Sequence, residues 1–344
     1  MFKKIGIVLL VFCIIAGATA YQKYQDIYGA NVSTNLHSTT ISIPTGTTFT
    51  ELYNILENKS IVEDLSSFEW VAGLMKFRSN SIKPGKYTIE PGWSNRKLIQ
   101  HLRSGKQEAV QLVLNYERLL PEVAQQVSNY IEPDSATVIA TMLNPNIIEK
   151  YDLVPETMMT LFIPNTYEVY WSLDAPQFLD RMKKENDKFW NAKGRLAKLK
   201  VLGMTKEEVY TLASIVEKET NHIPERKTVA AVYLNRIRKG IMLQADPTVV
   251  FANQDFTIRR VLNKHLEKDS PYNTYKYAGL PPGPISMASI SSIDAVLDNQ
   301  NHKYLYFCAK PDNSGQHAFA KTLSQHNSNA RKFQNWLNKQ RIFK

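Results

Sequence analysis

The sequence predicts an α+β protein with an N-terminal transmembrane helix, a small α+β subdomain and a larger, mostly helical α+β domain. The first observation is an uncharged apolar run, Ile5–Tyr21, close to the N-terminus. The second is a mixture of period-two and helical apolar patterns over residues 41–108. The third is the dominance of helical patterns over residues 109–344. A chain of 344 residues is long enough for two domains and a small appendage.

The apolar run has close to the minimum length for a helix that crosses a bilayer. Lys3 and Lys4 precede it, which favours a cytoplasmic N-terminus and an exported body. A cleaved signal peptide stays open as an alternative, because Ile5–Ala16 has the length of a signal-peptide core and Ala18-Thr19-Ala20 is similar to a cleavage site. The predicted organisation is a cytoplasmic stub at 1–4, an anchor at 5–21, a polar juxtamembrane spacer at 22–40, a small subdomain at 41–108 and a larger domain at 109–344.

Composition narrows the class of partner. The net charge is +10 and the pI about 9.3, which suits anionic partners. The charge is dispersed, however, and an exported body argues against nucleic acid. The cysteines are Cys13, inside the apolar run, and Cys308, in an apolar stretch. They cannot easily pair, so the fold depends on its core, and Cys308 is predicted to be a small buried hydrophobe.

The small subdomain shows alternating strand and helix signals. Ile41 and Ile43 alternate as in a strand, and a helix with Phe49 and Leu56 on one face follows, with Thr48 or Thr50 as its N-cap. The remaining predicted elements are a helix near Phe68–Met75, a turn at Pro84-Gly85, a strand at Lys86–Ile89 and a helix capped by Ser94 and closed by Gly105.

The larger domain begins with a strand that carries Val110, Leu112 and Leu114. Two late strands, Tyr304–Ala309 and Gln316–Phe319, are joined by turn-forming residues. The predicted helices are Pro121–Tyr130, Pro176–Lys184, Lys206–Lys218 and Glu225–Arg238.

The helix that begins after Thr205 carries two glutamates beside its apolar stripe. Thr205 and Glu208 fit a capping box. At 100° per residue, Glu217 and Glu219 lie roughly 160° apart on opposite flanks of the stripe, so they do not form a two-carboxylate pair. A carboxyl at the edge of an apolar face is partly desolvated, which raises its pKa and keeps a proton available near neutral pH. Either glutamate qualifies, and Glu219 lies slightly nearer the centre of the stripe.

A simpler interpretation also stands. Both glutamates can be ordinary residues at a helix end that pair with Lys218, Arg226 or Lys227.

Several ordered segments of the sequence resemble one known family, the YceG-like endolytic murein transglycosylases, often called MltG. The matches span about residues 109–335, and the N-terminal layout is similar as well, with an anchor and a LysM-like subdomain at 41–108 before a catalytic domain at 109–344. The matching segments are Ala213–Thr220, Asn235-Arg236, Leu243–Val249, Tyr272–Tyr275, Gly279–Ile285, His317–Phe319 and His326-Asn327.

The resemblance implies cleavage of the β-1,4 bond between N-acetylmuramic acid and N-acetylglucosamine inside glycan strands, without water and without a cofactor. It implies Glu217 as the single acid and base, with Glu219 as the fallback. It also implies a single-pass protein of the bacterial inner membrane whose catalytic domain lies outside the cytoplasm, with peptidoglycan synthases as candidate partners. The loop Phe162–Tyr167 departs from the family pattern by an inserted isoleucine and an asparagine for aspartate, so its role stays open.

Further residues of the matching segments suit a saccharide groove. Tyr272 and Tyr275 can stack on sugar rings or be core and turn aromatics. Asp246 can orient a hydrogen-bond donor or steady positive charge, or it can simply cap a helix whose first residue is Pro247. His317 and His326 lack a third ligand at useful spacing, which predicts structural histidines and no metal. Gly279–Pro284 is predicted to be a rigid loop that shapes the groove floor. The residues that can hydrogen-bond sugar groups are Asn235, Gln244, Asn273 and Thr274.

Three other functions remain as alternatives. A peptidoglycan-binding scaffold would have the same domains without catalysis. A hydrolytic muramidase would leave reducing sugar ends. A basic nucleic-acid binder would need a cytoplasmic body, which the N-terminus disfavours.

Overall fold

The computed structural model describes residues 2–35 and 37–340, and it divides into two compact units. The fold is mixed α+β and mostly helical, as the sequence predicts. Met1, Leu36 and residues 341–344, which belong to the predicted stub, spacer and larger domain, lie outside the described residues. The first unit comprises Met1–Gln111, Tyr130–Glu132 and Glu168–Asp174, and the second comprises Leu112–Asn129, Pro133–Tyr167 and Ala175–Lys344.

The N-terminal apolar run forms a helix, α1 (Phe2–Tyr28). Its segment Lys4–Tyr28 is long and apolar enough to cross a membrane, and the apolar side chains from Ile5 to Tyr24 are exposed. This is consistent with a single-pass anchor. The helix continues beyond the predicted end of the apolar run because the polar residues that follow still make helical contacts, such as the hydrogen bond from Gln22 to Asp26.

The predicted spacer at 22–40 is therefore partly structured. Val32 is buried in the core of the first unit, and Asn31 joins a buried polar cluster. The Asn31 amide donates to Asn95 at 2.7 Å and to Ser67 at 3.1 Å, while Asn95 donates to the carbonyl of Asp26. These bonds satisfy polar groups that would be costly to bury alone. They fix the segment after α1 to two helices of the same unit.

The first unit is built from a small hairpin and helices. Strands β1 (Thr39–Ile43) and β2 (Gly85–Ile89) pair antiparallel, with Ile41 opposite Tyr87. The helices are α2 (Phe49–Asn58), α3 (Leu65–Leu74) and α4 (Asn95–Ser104). Inward-facing side chains from all five elements form one core, which includes Ile41, Ile43, Leu52, Leu56, Phe68, Tyr87, Leu98 and Leu102.

The capping residues predicted for this unit are confirmed. Thr48 caps α2 in a full capping box with Glu51. Ser94 caps α4, and Gly105 ends it at φ +71°, a left-handed conformation that glycine adopts without strain. Helix α3 begins three residues before the predicted start because Asp64 caps it. The predicted strands are also confirmed.

Two further strands, β3 (Ala109–Leu114) and β4 (Asn165–Tyr170), form a second two-stranded sheet. The first is predicted from its alternating apolar residues. The second is missed, although Tyr167 and Val169 are buried at alternate positions, the pattern expected of a strand.

The second unit consists mainly of helices. Helices α5, α8, α10 and α11 are the four that the sequence predicts, and α8 extends seven residues further than predicted. Apart from α12, whose start at Asp246 the sequence offers as an alternative, the short helices and α15 are missed, and α15 has no buried residue. The helices are α5 (Leu120–Ser128), α6 (Ser135–Met142), α7 (Pro145–Lys150), α8 (Ala175–Asn191), α9 (Arg195–Leu202), α10 (Lys206–Glu219), α11 (Arg226–Arg238), α12 (Asp246–Asn253), α13 (Asn263–Leu266), α14 (Ile290–Leu297) and α15 (Leu323–Lys339).

Helix α10 lies at the centre of this unit and packs against α11, α12 and α14. Its buried Tyr210 hydroxyl donates to the carbonyl of Phe162 at 2.7 Å and accepts from the amide of Ala288 at 3.2 Å. Ser214 accepts from the amide of Ile285 at 3.0 Å. These bonds attach two loops to the helix and fix their positions against it.

The late hairpin is confirmed as β5 (Tyr306–Ala309) and β6 (His317–Ala320), with Phe307 opposite Phe319. Cys308 lies in β5 and is a free thiol. The prediction that it is fully buried is wrong: the residue is half-buried, because every position of β5 keeps some exposure. Burial is still sufficient to raise the pKa of the thiol.

Gly283→Ala should destabilise the second unit. A Cβ at Gly283 would lie 1.9 Å from the backbone oxygen of Glu156, so backbone would have to move. Overpacking of this kind costs about 1–3 kcal/mol, and each kcal/mol lowers Tm by roughly 2–4 °C in a domain of this size. Thermal unfolding of the full chain in detergent measures the change.

The matched control is Gly73→Ala in α3. A Cβ there meets nothing within 4 Å, and alanine favours a helix by about 1 kcal/mol over glycine. This variant should keep or raise Tm. A Gly283→Ala protein that melts with the wild type would contradict the close approach.

Candidate active site

Two glutamates lie in the last turn of α10. Thr205 and Glu208 form the predicted capping box at its start. The eight residues from Val209 to Val216 are all buried, so the helix is enclosed on every side and not only along one stripe. Glu217 and Glu219 emerge where this enclosure ends, and both are partly buried.

The Glu217 carboxylate is bound by an arginine and two serines. The Arg226 guanidinium donates to both of its oxygens, at 3.1 and 3.0 Å. The hydroxyls of Ser289 and Ser292 both donate to Oε2. The side chains of Arg226 and Glu217 are only 7% and 10% exposed. The pairing with Arg226, one of three partners considered from the sequence, is confirmed.

This environment keeps Glu217 charged. Burial, the largest single effect, would raise the pKa of Glu217, but hydrogen bonds from Ser289 and Ser292 together with the charge of Arg226 outweigh it and lower the pKa. A carboxylate that accepts several hydrogen bonds and pairs with a guanidinium releases its proton readily. Glu217 therefore resembles a structural ion-pair partner more than a proton donor.

Glu219 has the opposite environment. Its Oε1 accepts a hydrogen bond from the Tyr233 hydroxyl at 2.6 Å. Burial, the largest effect, raises the pKa of Glu219; the Tyr233 hydrogen bond lowers it, the charge of Asp246 raises it, the charge of Arg236 lowers it, and the net pKa is about 7. The carboxyl is thus partly protonated near neutral pH, which is the condition for general acid and base catalysis.

Asp246 is held beside Glu219 by an aromatic hydroxyl. The Tyr275 hydroxyl donates to Asp246 Oδ1 at 2.7 Å. Asp246 is the first residue of α12, whose dipole stabilises a negative charge there. The alternative in which Asp246 caps the helix and Pro247 is its first residue is wrong by one position, because Ala245 is the N-cap. The Asp246 side chain makes no capping bond.

Two cavities share Glu219 and Asp246 in their walls. Glu219 is therefore a lining residue of both cavities. The smaller cavity, about 260 Å³, is also lined by Tyr233, Arg236, Leu243, Gln244, Tyr275, Phe307 and His326. The larger, about 380 Å³, is also lined by Arg118, Lys218, Pro247, Val250, Phe251, Phe256, Ile258, Arg259, Arg260, Val261 and Ile285.

Another cavity lies beside the serines that bind Glu217. It measures about 370 Å³. Its walls include Ser289, Ser291 and Asn165, which belongs to the segment Phe162–Tyr167 that differs from the family pattern. Glu217 lines neither this cavity nor the two beside Glu219. The role of the segment Phe162–Tyr167 stays open.

The structure brings three of the predicted groove residues to Glu219. Gln244, Asp246 and Tyr275 all line the smaller cavity. Gln244 is exposed and has φ +49°, an uncommon backbone conformation for a residue with a side chain. The backbone N–H of Gln244 donates to the carbonyl of Thr274 at 3.1 Å, which holds this backbone conformation in place.

The other predicted groove residues lie elsewhere in the fold. Asn235 donates to the carbonyls of His302 and Tyr304. Asn273 is fully buried and donates to two backbone carbonyls, and buried Thr274 accepts from the amide of Ala245. The structure gives these three side chains internal hydrogen bonds, and none of them lines a cavity beside Glu219.

Tyr272 packs against Phe251, with ring centroids 4.6 Å apart. Its partly buried position agrees with the interpretation as a core aromatic. The loop Gly279–Pro284 precedes Ile285, which lines the larger cavity and is tied to α10 through Ser214. Ile285, and none of the residues from Gly279 to Pro284, lines this cavity, so the predicted role of the loop in shaping the groove stays a prediction.

The two histidines have different surroundings. His317 pairs with Glu225 at 2.9 Å. His326 stacks on Tyr306 and lines the smaller cavity. Within residues 2–35 and 37–340, no group of three or more metal-ligating side chains is close enough to hold a metal ion.

Sequence reasoning missed Tyr233 and Arg236, which flank Glu219. Both lie on α11 and belong to one helical face, since they are three residues apart. A buried tyrosine and arginine on a predicted helix were the available signal, but only the packing of α11 on α10 places them at Glu219. The cationic lining residues Arg118, Arg259 and Arg260 gave no sequence signal.

Comparisons with a family model, with named relatives and with a solved structure all give the same family. The model of the YceG-like family matches residues 41–332. A Bacillus subtilis protein named endolytic murein transglycosylase is 31% identical over 85% of this chain and 84% of its own. A Streptococcus pneumoniae protein of the same name is 26% identical over 95% of this chain, which spans 64% of that longer relative. A solved structure of a YceG-like protein from Listeria monocytogenes is 31% identical, with a TM-score of 0.56 over 85% of this chain and 99% of that one.

Glutamine substitutions at Glu217 and at Glu219 should change the stability of the folded protein at pH 8 in opposite directions. The folded pKa of Glu219 is about 7 against an ordinary 4.5, so the folded state binds more protons between these values. The wild-type free energy of unfolding should therefore fall as pH rises through this window, by a few kcal/mol at most at about 1.4 kcal/mol per unit. Glu219→Gln removes this loss, so it should raise Tm at pH 8 more than at pH 5.

Glu217→Gln is the comparison variant. It leaves the buried Arg226 without its partner, which costs about 3–5 kcal/mol for a fully buried pair, so Tm should fall at pH 8. Thermal unfolding at both pH values measures the two effects. If Glu219→Gln lowered Tm at pH 8, the desolvated state of Glu219 would be disproved.

Proposed function

The chain belongs to the YceG-like family, and from that premise we propose that it is an endolytic peptidoglycan lytic transglycosylase. It cleaves the β-1,4 bond between N-acetylmuramic acid and N-acetylglucosamine within a glycan strand and leaves a 1,6-anhydro end. The observation that carries this function is Glu219, a partly buried carboxyl between two cavities with a pKa raised to about 7. The relatives named endolytic murein transglycosylase support the same reaction.

The acid and base in this proposal is Glu219, the fallback of the sequence interpretation, in place of Glu217. Glu217 is occupied by Arg226 and two serines and its pKa is lowered. A group that is charged near neutral pH cannot donate the first proton efficiently. Glu217 acts instead as a positioning residue: it holds α10 against the N-terminus of α14, where Ser289 is the N-cap.

The reaction needs one carboxyl in two protonation states. Neutral Glu219 donates its proton to the glycosidic oxygen as the bond to muramoyl C1 breaks, which releases the N-acetylglucosamine side with a free C4 hydroxyl. The resulting carboxylate then takes the proton of the muramoyl C6 hydroxyl while that oxygen bonds to C1. The ring closes, Glu219 is neutral again, and no water is consumed.

Asp246 and Tyr275 assist from the smaller cavity. Positive charge develops at C1 as the glycosidic bond breaks, and the Asp246 carboxylate is a fixed negative group in the same cavity walls as Glu219. The Tyr275 hydroxyl holds that carboxylate in place. Gln244 has free amide groups at the cavity surface for sugar hydroxyls or acetamido groups. The direct sugar-binding roles predicted for Asn235, Tyr272, Asn273 and Thr274 are not retained in this proposal.

A hydrolytic muramidase is the second candidate, because a second carboxylate, Asp246, lines the same cavities. In a hydrolase that carboxylate would activate water or attack C1. The product ends separate the two reactions, since hydrolysis leaves a reducing muramoyl end. A non-catalytic scaffold is less well supported, because binding alone does not require a carboxyl held at a pKa near 7.

We assign the remaining parts of the chain in the same proposal. Residues 1–4 are a cytoplasmic stub, 5–21 the membrane-crossing part of α1, and 22–40 the link to a LysM-like glycan-binding subdomain at 41–108. Residues 109–344 form the catalytic domain outside the cytoplasm. Lys3 and Lys4 favour this orientation. Peptidoglycan synthases are candidate partners, since both would act on new strands.

Glu219→Gln should abolish formation of anhydro-muropeptides, with a loss of about 10²–10⁴-fold. The variant keeps the size of the side chain and an acceptor for Tyr233 but cannot exchange a proton. Mass spectrometry of sacculi digested with the full chain measures the anhydro ends. Glu217→Gln is the matched control and should retain product, at a rate reduced in proportion to lost stability. Full activity in Glu219→Gln with none in a folded Glu217→Gln would reverse the assignment.

The rate should depend on the protonation of Glu219. Only the neutral form donates the first proton, so kcat/KM should fall about tenfold per pH unit above about 7. Asp246→Asn removes a negative charge that raises the pKa of Glu219, so the decline should begin at lower pH. Initial rates of anhydro-product release between pH 5 and 9 measure both profiles. An unchanged position of the decline in Asp246→Asn would exclude Glu219 as the titrating acid.

A further inference from the structure

The larger cavity beside Glu219 has a wall of unpaired positive charge. Arg118, Lys218, Arg259 and Arg260 all line it. Among the described residues, no carboxylate lies within 4.0 Å of the charged nitrogens of these side chains. Cations that line a concave site without internal partners are suited to bind an anion.

Arg118 is held in place before any ligand binds. Its backbone amide donates to Glu122 Oε2 at 2.6 Å, at the start of α5. Its guanidinium carbon lies 4.3 Å from the ring centroid of Phe256, within the range of a cation–π contact. The first contact holds the backbone of Arg118, and the second holds its guanidinium at the cavity wall.

Lys218 brings a second cation close to Arg118. Burial lowers the pKa of Lys218 and the charge of Arg118 lowers it further, while the charges of Glu217 and Glu122 oppose this shift without a direct ion pair. Two like charges that repel each other in a partly enclosed site would both be stabilised by an anion between them. Lys218 immediately precedes Glu219 in α10, so such an anion would be bound beside the proposed acid.

Most of the other residues that line the cavity are apolar, apart from Glu219 and Asp246. Val250 and Phe251 of α12 and the nearby Phe256 and Ile258 line it. The site is therefore suited to a group that carries both a carboxylate and methyl groups. It has a volume of about 380 Å³, room for a substituent of a sugar and not only for a free ion.

We propose that this cavity binds the carboxylate-bearing substituent on C3 of the muramoyl residue, so that a muramoyl and not a glucosaminyl unit is placed beside Glu219. This inference rests on the proposed function. N-acetylglucosamine has a plain hydroxyl at C3, whereas muramic acid has a lactyl ether with a methyl group and a carboxyl. That carboxyl is free in denuded strands; in peptide-bearing strands it is joined to a stem peptide that has carboxylates of its own.

The test is binding to the full chain carrying Glu219→Gln in detergent, which cannot turn over the ligand. Three soluble glycan fragments are titrated by calorimetry: denuded, denuded with the lactyl carboxyls converted to amides, and peptide-bearing. The denuded or the peptide-bearing fragment should bind about tenfold more tightly than the amidated one. Tight binding of the denuded fragment identifies the lactyl carboxylate as the ligand, and tight binding of the peptide-bearing fragment alone identifies the stem.

Added substitutions locate the site. Arg118→Gln should remove the tenfold preference and leave the affinity for the amidated fragment unchanged. Arg238→Gln, an exposed arginine on α11 outside the cavity, should keep the preference. If Arg118→Gln lowers Tm, the exposed pair Arg259→Gln and Arg260→Gln provides the same readout.

Equal affinity for all three fragments would overturn the proposal, as would an Arg118→Gln effect that is the same for charged and amidated fragments. The proposed function fails separately, if the wild-type chain forms no anhydro ends from any of the fragments. The binding measurements therefore test the proposed ligand of the cavity independently of the result for catalysis.

Discussion

The removal of the Glu219 carboxyl from bulk water is the constraint on which the proposed chemistry depends. An isolated carboxylate in such a place is unfavourable, so the group holds its proton to a pKa of about 7. The surrounding fold maintains this state. Helix α11 packs on α10 and helps to bury the carboxyl, and the charge of Asp246 at the start of α12 raises its pKa further, whereas the Tyr233 hydroxyl opposes the rise. Burial of the Glu219 carboxyl lowers the free energy of unfolding, and packing in the rest of the core compensates for this loss.

Two glutamates two residues apart have opposite electrostatic environments because the helix directs them to different neighbours. Glu217 faces Arg226 and the serines at the start of α14, and it stays charged. Glu219 faces Tyr233 and two cavities, and its pKa is raised. Environment, and not residue type, therefore separates a structural ion-pair partner from a proton donor. Long-range contacts likewise place Arg118 and Lys218 in the same cavity as Glu219.

Local signals in the sequence predicted much of the fold. Ser94 and Gly105 cap the two ends of α4, Thr205 caps the start of α10, and the turn-forming residues after Tyr304–Ala309 predict the late hairpin. The candidate site was predicted less well because its properties arise from long-range contacts. Nothing local to Glu219 shows that Tyr233 will hydrogen-bond it, nor that Asn273 will use its amide on backbone carbonyls. Periodicity placed Glu219 slightly nearer the buried stripe than Glu217, and the structure favours the same residue on stronger physical grounds.

The central claim is the protonation state of Glu219, and a carboxyl titration measures it most directly. The chain can be labelled with ¹³C at glutamate side-chain carboxyls and titrated by NMR, with Glu219→Gln used to assign the signal. The account predicts a carboxyl resonance that titrates near pH 7 and disappears in the variant. A Glu219 resonance that titrates at or below 4.5, the ordinary value for glutamate, would contradict it.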